Sequence, residues 1–360
     1  MKLLIISQTK PYKGSGTGLT EYAYQLEMHI KALLGRRDSI KELYALDQSK
    51  RNNISGLVYA NTGFKKKIAA VPKDKYDIIH ITDHEIGFVA KILKKSGNKA
   101  KIVTTIHDLS RFEEGLHKGL IQKAYNKLVQ RNIKDAIKYS DFILCNSSQT
   151  YNTIIERFGK RKNMKVVLHG TNDSIIRAKL RVRHKGEIFT VGYMGALMKH
   201  KNVMFILEAA KLLKNNQYKF VIYGTGVDKN VLKAFKNRYN LSNVDFMGYL
   251  DENKKVEAYD SFDAFVFPSL YEGLGYPILE AQARGLPVII YKHGKIPNEV
   301  RKYCFEAESP EHMAQIIEDL KENGYNEKQR KKATEYARSF TWNRCARETL
   351  STYKSLSKNK

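Results

Sequence analysis

The sequence predicts an α/β protein with two doubly wound domains, each a parallel sheet with helices on both faces. The chain has 360 residues, more than twice the roughly 150 typical of one domain. Short apolar runs alternate with amphipathic segments of helical period, and this alternation stops and resumes near the middle of the chain. Strands that alternate with helices are typical of parallel sheets, so we expect two such domains in succession.

The first predicted domain covers residues 1–175. Two long segments, residues 19–34 and 120–139, carry apolar side chains three and four residues apart, the period of a helix with one buried face. Short apolar runs between polar turns supply the strands, which are residues 2–7, 78–82, 101–106, 141–145 and 165–169.

The second predicted domain covers residues 176–338. Its alternation of strands and helices begins after a basic stretch without strand character, residues 174–185. Ligands of doubly wound sheets bind beyond the carboxyl ends of the strands, so the residues after each strand are the candidates for a site. The strands predicted for this domain are residues 188–192, 219–223, 244–246, 264–267 and 287–291.

The chain is strongly basic, with 63 Lys and Arg against 37 Asp and Glu and a formal net charge of +26 at pH 7. Such a surplus attracts nucleic acid, anionic lipid head groups or phosphorylated substrates. The alternative is a surface on which many lysines are simply solvated. Hydrophobic residues make up 42% of the chain, which excludes a wholly disordered protein.

Nothing in the sequence indicates export or membrane insertion. No apolar run approaches the ~18 residues of a spanning helix, and the apolar start at residues 3–6 is too short for the core of a signal peptide. Cys145, Cys304 and Cys345 have neither a pairing nor a metal-ligand spacing. We therefore expect a soluble, cytoplasmic protein.

Three loops of the first half carry candidate functional residues. Gly16 and Gly18 lie between a strand and a helix, where glycines let a ligand approach backbone N–H groups; the alternative is a flexible turn. His80 and His84 are more simply explained as core histidines. His107 follows a strand and can hydrogen-bond a sugar hydroxyl or exchange a proton. Zinc-ligand spacing and Asp-x-Asp pairs do not occur, so we expect no metal site.

The second half repeats the arrangement with basic residues and glycines. Lys199, His200 and Lys201 lead into a helix that we expect to begin near Asn202. Lysines there can add charge against a phosphate, and solvent-facing lysines are the alternative. Gly224 follows the next strand in a Tyr-Gly-Thr-Gly loop, which is a weak signal alone.

The most specific segment is FPSLYEGLGYPILEA, after the fourth strand of the second half. Pro277 suits the start of a helix, which places Gly273 and Gly275 in the turn before it, with N–H groups available to a phosphate or a sugar oxygen. Glu272 then lies in the loop and Glu280 within the first turns, a separation suited to the two ends of an extended ligand. The alternative is that Glu280 only complements the helix dipole.

This Glu-x7-Glu segment, filled by Gly-Leu-Gly-Tyr-Pro, resembles the donor-binding signature of glycosyltransferase family 4, which are retaining enzymes with the GT-B fold. The N-terminal glycine loop, the Thr-x-His-Asp element and the Gly-x-Leu-x-x-x-Lys-Asn run follow in the family's order, and the resemblance covers essentially the whole chain. It implies two Rossmann-like domains that face each other across a cleft, an acceptor domain and then a donor domain. A last helix, residues 341–356, would return to the first domain.

The resemblance also implies roles for residues at matching positions. Glu272 would bind the donor sugar's hydroxyls, Glu280 those of the ribose, and Lys201 would neutralise the diphosphate of a nucleotide sugar. His107 would lie near the transferred sugar. Many members have an arginine where this chain has Ala196, so the clamp would rest on Lys201 and a neighbour. The other donor-binding positions are Gly16, Gly18, Gly224, Gly273, Leu274 and Gly275, with Lys199 and His200 as further candidates for the phosphate clamp.

By the resemblance, the protein is a hexosyltransferase that uses a nucleotide sugar as substrate, needs no cofactor or metal, and passes the sugar to a glycan or lipid-linked acceptor. Fixed cations and helix N–H groups would stabilise the leaving diphosphate. Two alternatives stay open. One is a basic two-domain protein that binds nucleic acid without catalysis, although no helix-turn-helix or RNA-binding motif supports it; the other is a sugar phosphorylase or epimerase of the same fold.

A basic amphipathic segment, residues 117–138, bears on the acceptor. It interleaves cationic and apolar residues, and such a helix can lie on an anionic membrane surface. We expect a peripheral contact with the inner face of a membrane, where a lipid-linked sugar would be found. The alternative is a helix whose apolar face belongs to the core and whose lysines face solvent.

Overall fold

The structure, a computed structural model, describes residues 1–10, 18–46, 63–113, 120–180 and 187–358. The chain divides into two compact units, the first made of Met1–Gly170 and Trp342–Lys360 and the second of Thr171–Thr341. Each has a six-stranded sheet in which neighbouring strands run parallel. The predicted fold class, two doubly wound α/β domains with the last helix returning to the first, is confirmed.

The first unit is a parallel sheet with helices between its strands. Its strands are β1 (Lys2–Thr9), β2 (Ser39–Leu46), β3 (Ile78–Ile81), β4 (Lys101–Ile106), β5 (Phe142–Cys145) and β6 (Met164–Val166). Their order across the sheet is β2-β1-β3-β4-β5-β6, so the chain winds first to one side of β1 and then to the other. Among the described residues up to 170, the helices are α1 (Gly18–Leu33), α2 (Gly63–Ala69), α3 (Phe88–Lys95), α4 (Leu120–Tyr139) and α5 (Ser148–Phe158).

The second unit is also doubly wound, but its chain places two strands, not one, on the first side before it crosses to the other. Its strands are β7 (Phe189–Met194), β8 (Tyr218–Tyr223), β9 (Val244–Gly248), β10 (Ala264–Phe267), β11 (Val288–Tyr291) and β12 (Phe305–Ala307), in the order β12-β11-β10-β7-β8-β9. Its helices are α6 (Asp173–Arg177), α7 (Val203–Leu212), α8 (Lys229–Arg238), α9 (Lys255–Asp260), α10 (Tyr276–Ala283), α11 (Asn298–Arg301), α12 (Pro310–Asn323) and α13 (Glu327–Arg338). The final helix, α14 (Trp342–Lys358), belongs to the first unit.

The two faces of the first sheet are covered differently. Successive residues of a strand point to opposite faces. In β3, Ile79 and Ile81 belong to an apolar cluster with Phe64 of α2 and Val89 of α3. His80, between those two isoleucines, faces the other way and is hydrogen-bonded to Tyr353 of α14. This second face therefore brings polar side chains into the core beside the closing helix.

Most predicted strands lie within two residues of the observed ones, but two strands were missed. β2 carries Lys41 and Glu42 in its interior and lies at the edge of the first sheet, where charged residues are common. β12 has only three residues and lies at the edge of the second sheet. Edge position and short length remove the continuous apolar run by which the central strands are recognised.

Candidate functional site

The second sheet changes direction between β7 and β10. The chain places β8 and β9 on one side of this pair and β11 and β12 on the other. The loops that leave the carboxyl ends of β7 and β10 therefore lead to opposite sides of the sheet, and the crevice at such a switch point is where doubly wound folds bind ligands. One backbone hydrogen bond joins the two loops, from the Leu270 N–H to the His200 carbonyl at 2.8 Å.

Two predicted site residues form an ion pair at this crevice. Lys201 Nζ lies 2.6 Å from Glu272 Oε1, and the ammonium group also lies over the Phe267 ring, 5.6 Å from its centroid. Glu272 is only 8% exposed, and a carboxylate at that depth is costly unless a cation or hydrogen-bond donors compensate it. The pair thus holds a positive and a negative group in fixed positions at the carboxyl end of the sheet.

The glycine turn after Glu272 leads directly into α10. Gly275 adopts φ = +97°, a left-handed conformation that suits glycine, and it is the N-cap residue of the helix. Pro277 lies in the first helical turn, as predicted. Leu274 is buried, while Gly273 is half-buried. The backbone N–H groups of the first turn therefore point out of the helix a few residues after Glu272, an arrangement that suits anions.

Gly224 is required by the close approach of two loops. The loop after β8 packs on the loop after β7, with the Leu197 N–H donating to the Thr225 carbonyl at 2.9 Å. A Cβ atom at Gly224 would lie 1.8 Å from the carbonyl oxygen of Gly195, and the residue has φ = +147°. This gives Gly224 a steric role, while ligand contact stays a prediction. Ala196, where the family often has arginine, is exposed.

The candidate clamp residues Lys199 and His200 lie in the same short 3₁₀ turn as Lys201. Lys199 is exposed and His200 is half-buried. Helix α7 begins at Val203, after Asn202 in a left-handed conformation, close to the predicted start. The turn thus presents three consecutive basic side chains near the crevice, and the part that Lys199 and His200 play there stays a prediction.

Glu280 is held by two residues that sequence reasoning missed. Tyr259 donates its hydroxyl to Glu280 Oε2 at 2.8 Å, and Lys255 Nζ lies 3.4 Å from Oε1. Lys255 also pairs with Glu252 at 2.8 Å. Burial works to lower the pKa of Lys255, but Glu280 and Glu252 outweigh it and raise that pKa. The spacing of Lys255 and Tyr259, one turn apart on α9, could have flagged a shared partner, but nothing local identifies Glu280.

His107 lies at the carboxyl end of β4 and is 5% exposed. Its Nε2 lies 2.7 Å from the Thr82 carbonyl oxygen, which can only accept, so Nε2 carries the proton. Burial, and next the neighbouring His84, lower the pKa of His107 to about 3. Of the two roles expected for this residue, the low pKa favours hydrogen bonding over proton exchange near neutral pH, and its contact with a sugar stays a prediction.

His107 belongs to a buried cluster of histidines and aromatic rings. The Tyr22 ring stacks on the His169 ring with centroids 4.2 Å apart. The centroid of the Trp342 ring lies 5.7 Å from that of His169, and the two ring planes make an angle of 29°. Tyr22 and His107 meet edge to face at 4.8 Å. Burial, and next His107, lower the pKa of His169 well below its usual value. No local pattern predicts this grouping, because Trp342 comes from the closing helix.

His80 is a core histidine, the simpler of its two interpretations. It is fully buried, and its Nε2 lies 2.8 Å from the Thr105 hydroxyl, which in turn lies 2.8 Å from the Tyr22 hydroxyl. The Tyr353 hydroxyl bonds its Nδ1. Burial, and next His107, lower the pKa of His80 to about 3. A chain of neutral hydrogen bonds thus ties α1, β3, β4 and α14 together.

The N-terminal glycine loop is only partly described. Gly16 lies outside the described residues, and Gly18 is the exposed first residue of α1. Within the described ranges, no group of three or more His, Cys, Asp and Glu side chains is placed to hold a metal ion. In the same ranges, no helix is long and apolar enough to span a membrane.

Helix α4, which contains most of the basic amphipathic segment, has its apolar face in the core. Val129, Ile133 and Ile137 are buried in one cluster with Ile106 of β4 and Ile143 of β5. Residues 117–119 lie outside the described part of the chain. The cationic side chains of the helix face solvent; they are Lys123, Lys127, Arg131, Lys134 and Lys138.

Comparison with known proteins places the chain among enzymes that transfer sugars. Residues 172–340 match the model of glycosyl transferases group 1, and residues 37–174 match that of glycosyltransferase family 4. A relative from Escherichia coli, O-antigen chain mannosyltransferase B, is 26% identical over 71% of this chain and 71% of its own length. A second one from that organism, UDP-Gal:alpha-D-GlcNAc-diphosphoundecaprenol alpha-1,3-galactosyltransferase, is 28% identical over 61% of this chain and 58% of its own length.

Solved structures agree on the fold. The Anabaena protein HepE, determined in complex with UDP and glucose, superposes with a TM-score of 0.70 at 16% identity and covers 99% of this chain and all of its own. At that identity the likeness concerns the fold, and the two sheets described above are its shared framework.

Proposed function

We propose that this chain, which belongs to glycosyltransferase family 4 and has the GT-B fold, moves a hexose from a nucleotide-diphosphate sugar to a glycan or lipid-linked sugar with retention of anomeric configuration. The observation that carries the proposal is the Lys201–Glu272 ion pair at the switch point of the second sheet, next to the N-terminus of α10. A cation and a helix N-terminus suit a diphosphate, and a carboxylate suits sugar hydroxyls.

The diphosphate would be bound by Lys201 and by backbone N–H groups. Because Lys201 is paired with Glu272, an arriving diphosphate shares or replaces an existing partner rather than meeting an uncompensated cation. With Ala196 in place of arginine, the additional positive charge falls to Lys199 or His200 in the same turn. The UDP bound to HepE supports a nucleotide diphosphate as the group recognised.

The two glutamates would bind the two ends of the donor. Glu272, before the glycine turn, is assigned to the hydroxyls of the transferred sugar, and Glu280, on α10, to the ribose. Their present partners differ, since Glu272 pairs with Lys201 and Glu280 with Lys255 and Tyr259. Separate partners keep the two carboxylates apart, as recognition of an extended ligand requires.

The reaction breaks the bond between the anomeric carbon and the diphosphate. Negative charge develops on the leaving phosphate and positive charge on the anomeric carbon. Lys201 and the α10 N-terminus would stabilise the first without a proton transfer. Retention by attack on the same face, with no protein nucleophile, follows the family resemblance. His107 is neutral near pH 7 and would act on the transferred sugar as a hydrogen-bonding group.

The acceptor is proposed to be a growing glycan or a lipid-linked sugar. One relative is an O-antigen chain mannosyltransferase and another acts on a diphosphoundecaprenol-linked sugar, as their names state. Residues of the first unit would bind this acceptor. The neutral cluster around His107 can donate hydrogen bonds to hydroxyl groups and accept hydrogen bonds from them.

A lipid-linked acceptor would bring the enzyme to an anionic membrane, and α4 offers the matching surface. Five cationic side chains of this helix are exposed, and among the described residues none of them has an ion pair within 4.0 Å. Because the apolar face of α4 is in the core, the contact would be electrostatic and confined to the head groups. Each lysine or arginine near such a surface contributes about 1 kcal/mol.

Sedimentation with phosphatidylglycerol vesicles tests the membrane contact. We expect binding at low salt, release at about 0.5 M salt because the charges are screened, and at least about tenfold weaker binding for the double variant Lys127→Glu, Lys134→Glu. The matched control reverses two exposed lysines of α13, Lys328→Glu and Lys331→Glu. Absence of binding at low salt, or equal loss in both double variants, would refute the contact.

A panel of nucleotide sugars tests the donor site. We expect one nucleotide class to raise the melting temperature and to be hydrolysed slowly without acceptor, and Lys201→Ala and Glu280→Gln to reduce the rise while an exposed control, Lys328→Ala, keeps it. A sugar phosphate formed from inorganic phosphate would indicate a phosphorylase instead. If no nucleotide sugar stabilises the wild type, the proposed donor site is wrong.

A further inference from the structure

The strongest unexplained feature is a partly buried network of polar and charged side chains around Glu280. Glu280 is 4% exposed and Tyr259 is fully buried. Tyr259 donates to one carboxylate oxygen at 2.8 Å and Lys255 Nζ lies 3.4 Å from the other. Each carboxylate oxygen can accept more than one hydrogen bond, so both oxygens are fixed from the protein side and keep the capacity to accept from a ligand.

The network continues away from Glu280 to the start of the second unit. Lys255 pairs with Glu252 Oε1 at 2.8 Å, and the Asn172 side-chain amide donates to Glu252 Oε2 at 3.2 Å. Asn172 is the N-cap residue of α6 and the second residue of this unit, which begins at Thr171. Three polar contacts therefore connect Glu280 to the point where the chain leaves the first unit.

A second set of bonds ties the same boundary segment to the same helix. Arg284, one turn after Glu280, is buried and makes two bonds of 2.9 Å to the Asp260 carboxylate. Its guanidinium also donates to the carbonyls of Ala178 and Lys179 at 2.8 and 2.7 Å. The segment 172–179 is thus held at both ends. Asn172 is bonded to Glu252 in the turn before α9, and residues 178 and 179 are bonded to Arg284, directly after α10. A shift of this segment would therefore disturb the surroundings of Glu280.

We propose that Lys255 and Tyr259 are positioning residues that aim Glu280 at the ribose of the donor, and that the Lys255–Glu252–Asn172 contacts couple donor binding to the segment where the chain passes between the two units. This rests on the proposed function, since it takes Glu280 as the ribose-binding carboxylate. Burial, and next the charge of Glu280, keep the pKa of Tyr259 well above its usual value, so the hydroxyl remains a donor.

Paired nucleotides test the positioning role. Binding of UDP and 2′-deoxy-UDP, and of GDP and 2′-deoxy-GDP, is measured by calorimetry in the full-length protein. We expect the wild type to prefer the ribonucleotide, and Tyr259→Phe and Lys255→Met to weaken its binding about tenfold, the effect of losing one buried hydrogen bond to a charged group. The deoxynucleotide should bind almost unchanged, and kcat at saturating donor should be kept. Lys255→Arg should restore the preference, and Lys254→Met, an exposed neighbour, should retain it.

A double-mutant cycle tests the coupling. Asn172→Ser keeps an N-cap side chain for α6 but cannot reach Glu252 as the amide does. We expect it to weaken ribonucleotide binding in the wild type and to have little effect in Lys255→Met, because the contacts act as one unit. Additive effects would refute the coupling, and an unchanged ribose preference in both Tyr259→Phe and Lys255→Met would refute the positioning role. If the wild type binds neither nucleotide, the proposed donor site itself fails.

Discussion

The carboxyl ends of the two parallel sheets differ in strand order and in electrostatic character. In the second unit, ion pairs hold Lys201 against Glu272 and Lys255 against Glu280. In the first, the corresponding edge holds His80 and His107, neutral, buried and bonded to hydroxyl or carbonyl groups. Two sheets of the same class thus carry different chemistry. The charged edge of the second unit, with its ion pairs, suits a diphosphate. The neutral edge of the first unit suits sugar hydroxyl groups, which carry no charge.

The largest effect should follow from removing the carboxylate of the charged edge. Glu272→Ala should lower turnover on the order of 10²–10³-fold, the usual effect of losing one preorganised polar contact, with the fold intact. Steady-state kinetics and circular dichroism measure both. Glu335→Ala, an exposed glutamate of the same unit, is the control. Near-normal turnover in Glu272→Ala would move the reacting sugar elsewhere.

The neutral edge should make the protein sensitive to acid. His80 and His107 have pKa values of about 3 in the folded chain, against about 6.5 for an unperturbed histidine. Between these values the unfolded chain binds more protons, so stability rises with pH and is lost as the pH falls below about 6.5. Each histidine should lower the free energy of unfolding by about 1.4 kcal/mol on going from pH 7.5 to pH 5.5.

Denaturant unfolding followed by fluorescence of Trp342, the chain's single tryptophan, reports the first unit. His312→Gln, which changes a half-buried histidine of the second unit, should leave this pH dependence as in the wild type. Stability that stays constant from pH 7.5 to 5.5 would mean that the buried histidines bind protons as readily as they do in the unfolded chain, and the contrast between the two edges would disappear.

A smaller effect should follow from removing the cation of the charged edge. Lys201→Ala should raise KM for the donor about tenfold, a loss of about 1.4 kcal/mol of binding, while kcat falls less than in Glu272→Ala. Donor titrations at saturating acceptor measure it. A KM equal to that of the wild type would assign the diphosphate to other cations, with Lys199→Ala as the next variant to measure.

The last effect is on stability alone and concerns the closing helix. Tyr353→Phe removes the hydroxyl that bonds His80 and should cost about 1–3 kcal/mol, because a buried nitrogen loses its partner. Unfolding followed at Trp342 measures the change. Tyr249→Phe, with a tyrosine that is 64% exposed, should have no effect. Equal stability of wild type and Tyr353→Phe would show that this bond does not hold α14 in place.

The sequence revealed what depends on local pattern. Central strands are apolar runs, and the Glu272–Glu280 spacing with its glycine turn singled out as the candidate site a segment that the structure brings into contact with Lys201. What depends on distant partners was missed. Tyr259 and Lys255 are unremarkable along the chain, and they matter only because α9 lies beside α10. His169 and Trp342 are far apart in sequence, yet their rings lie 5.7 Å apart.

Burial also bears on the role of His107 and on the packing of α4, which the residue types alone leave open. A histidine after a strand suits both hydrogen bonding and proton exchange, and only the depth of His107 and its bond to the Thr82 carbonyl separate the two. In α4, likewise, the amphipathic pattern fits a membrane surface or a core equally well. The packing of Val129 and Ile133 assigns the apolar face to the core.

The most direct measurement is amide hydrogen exchange with and without the nucleotide sugar that stabilises the protein. We expect slower exchange in the loops 195–202 and 269–276, at the switch point of the second sheet, and little change in α12. Slower exchange confined to other segments, with both loops unchanged at saturating nucleotide sugar, would contradict this expectation.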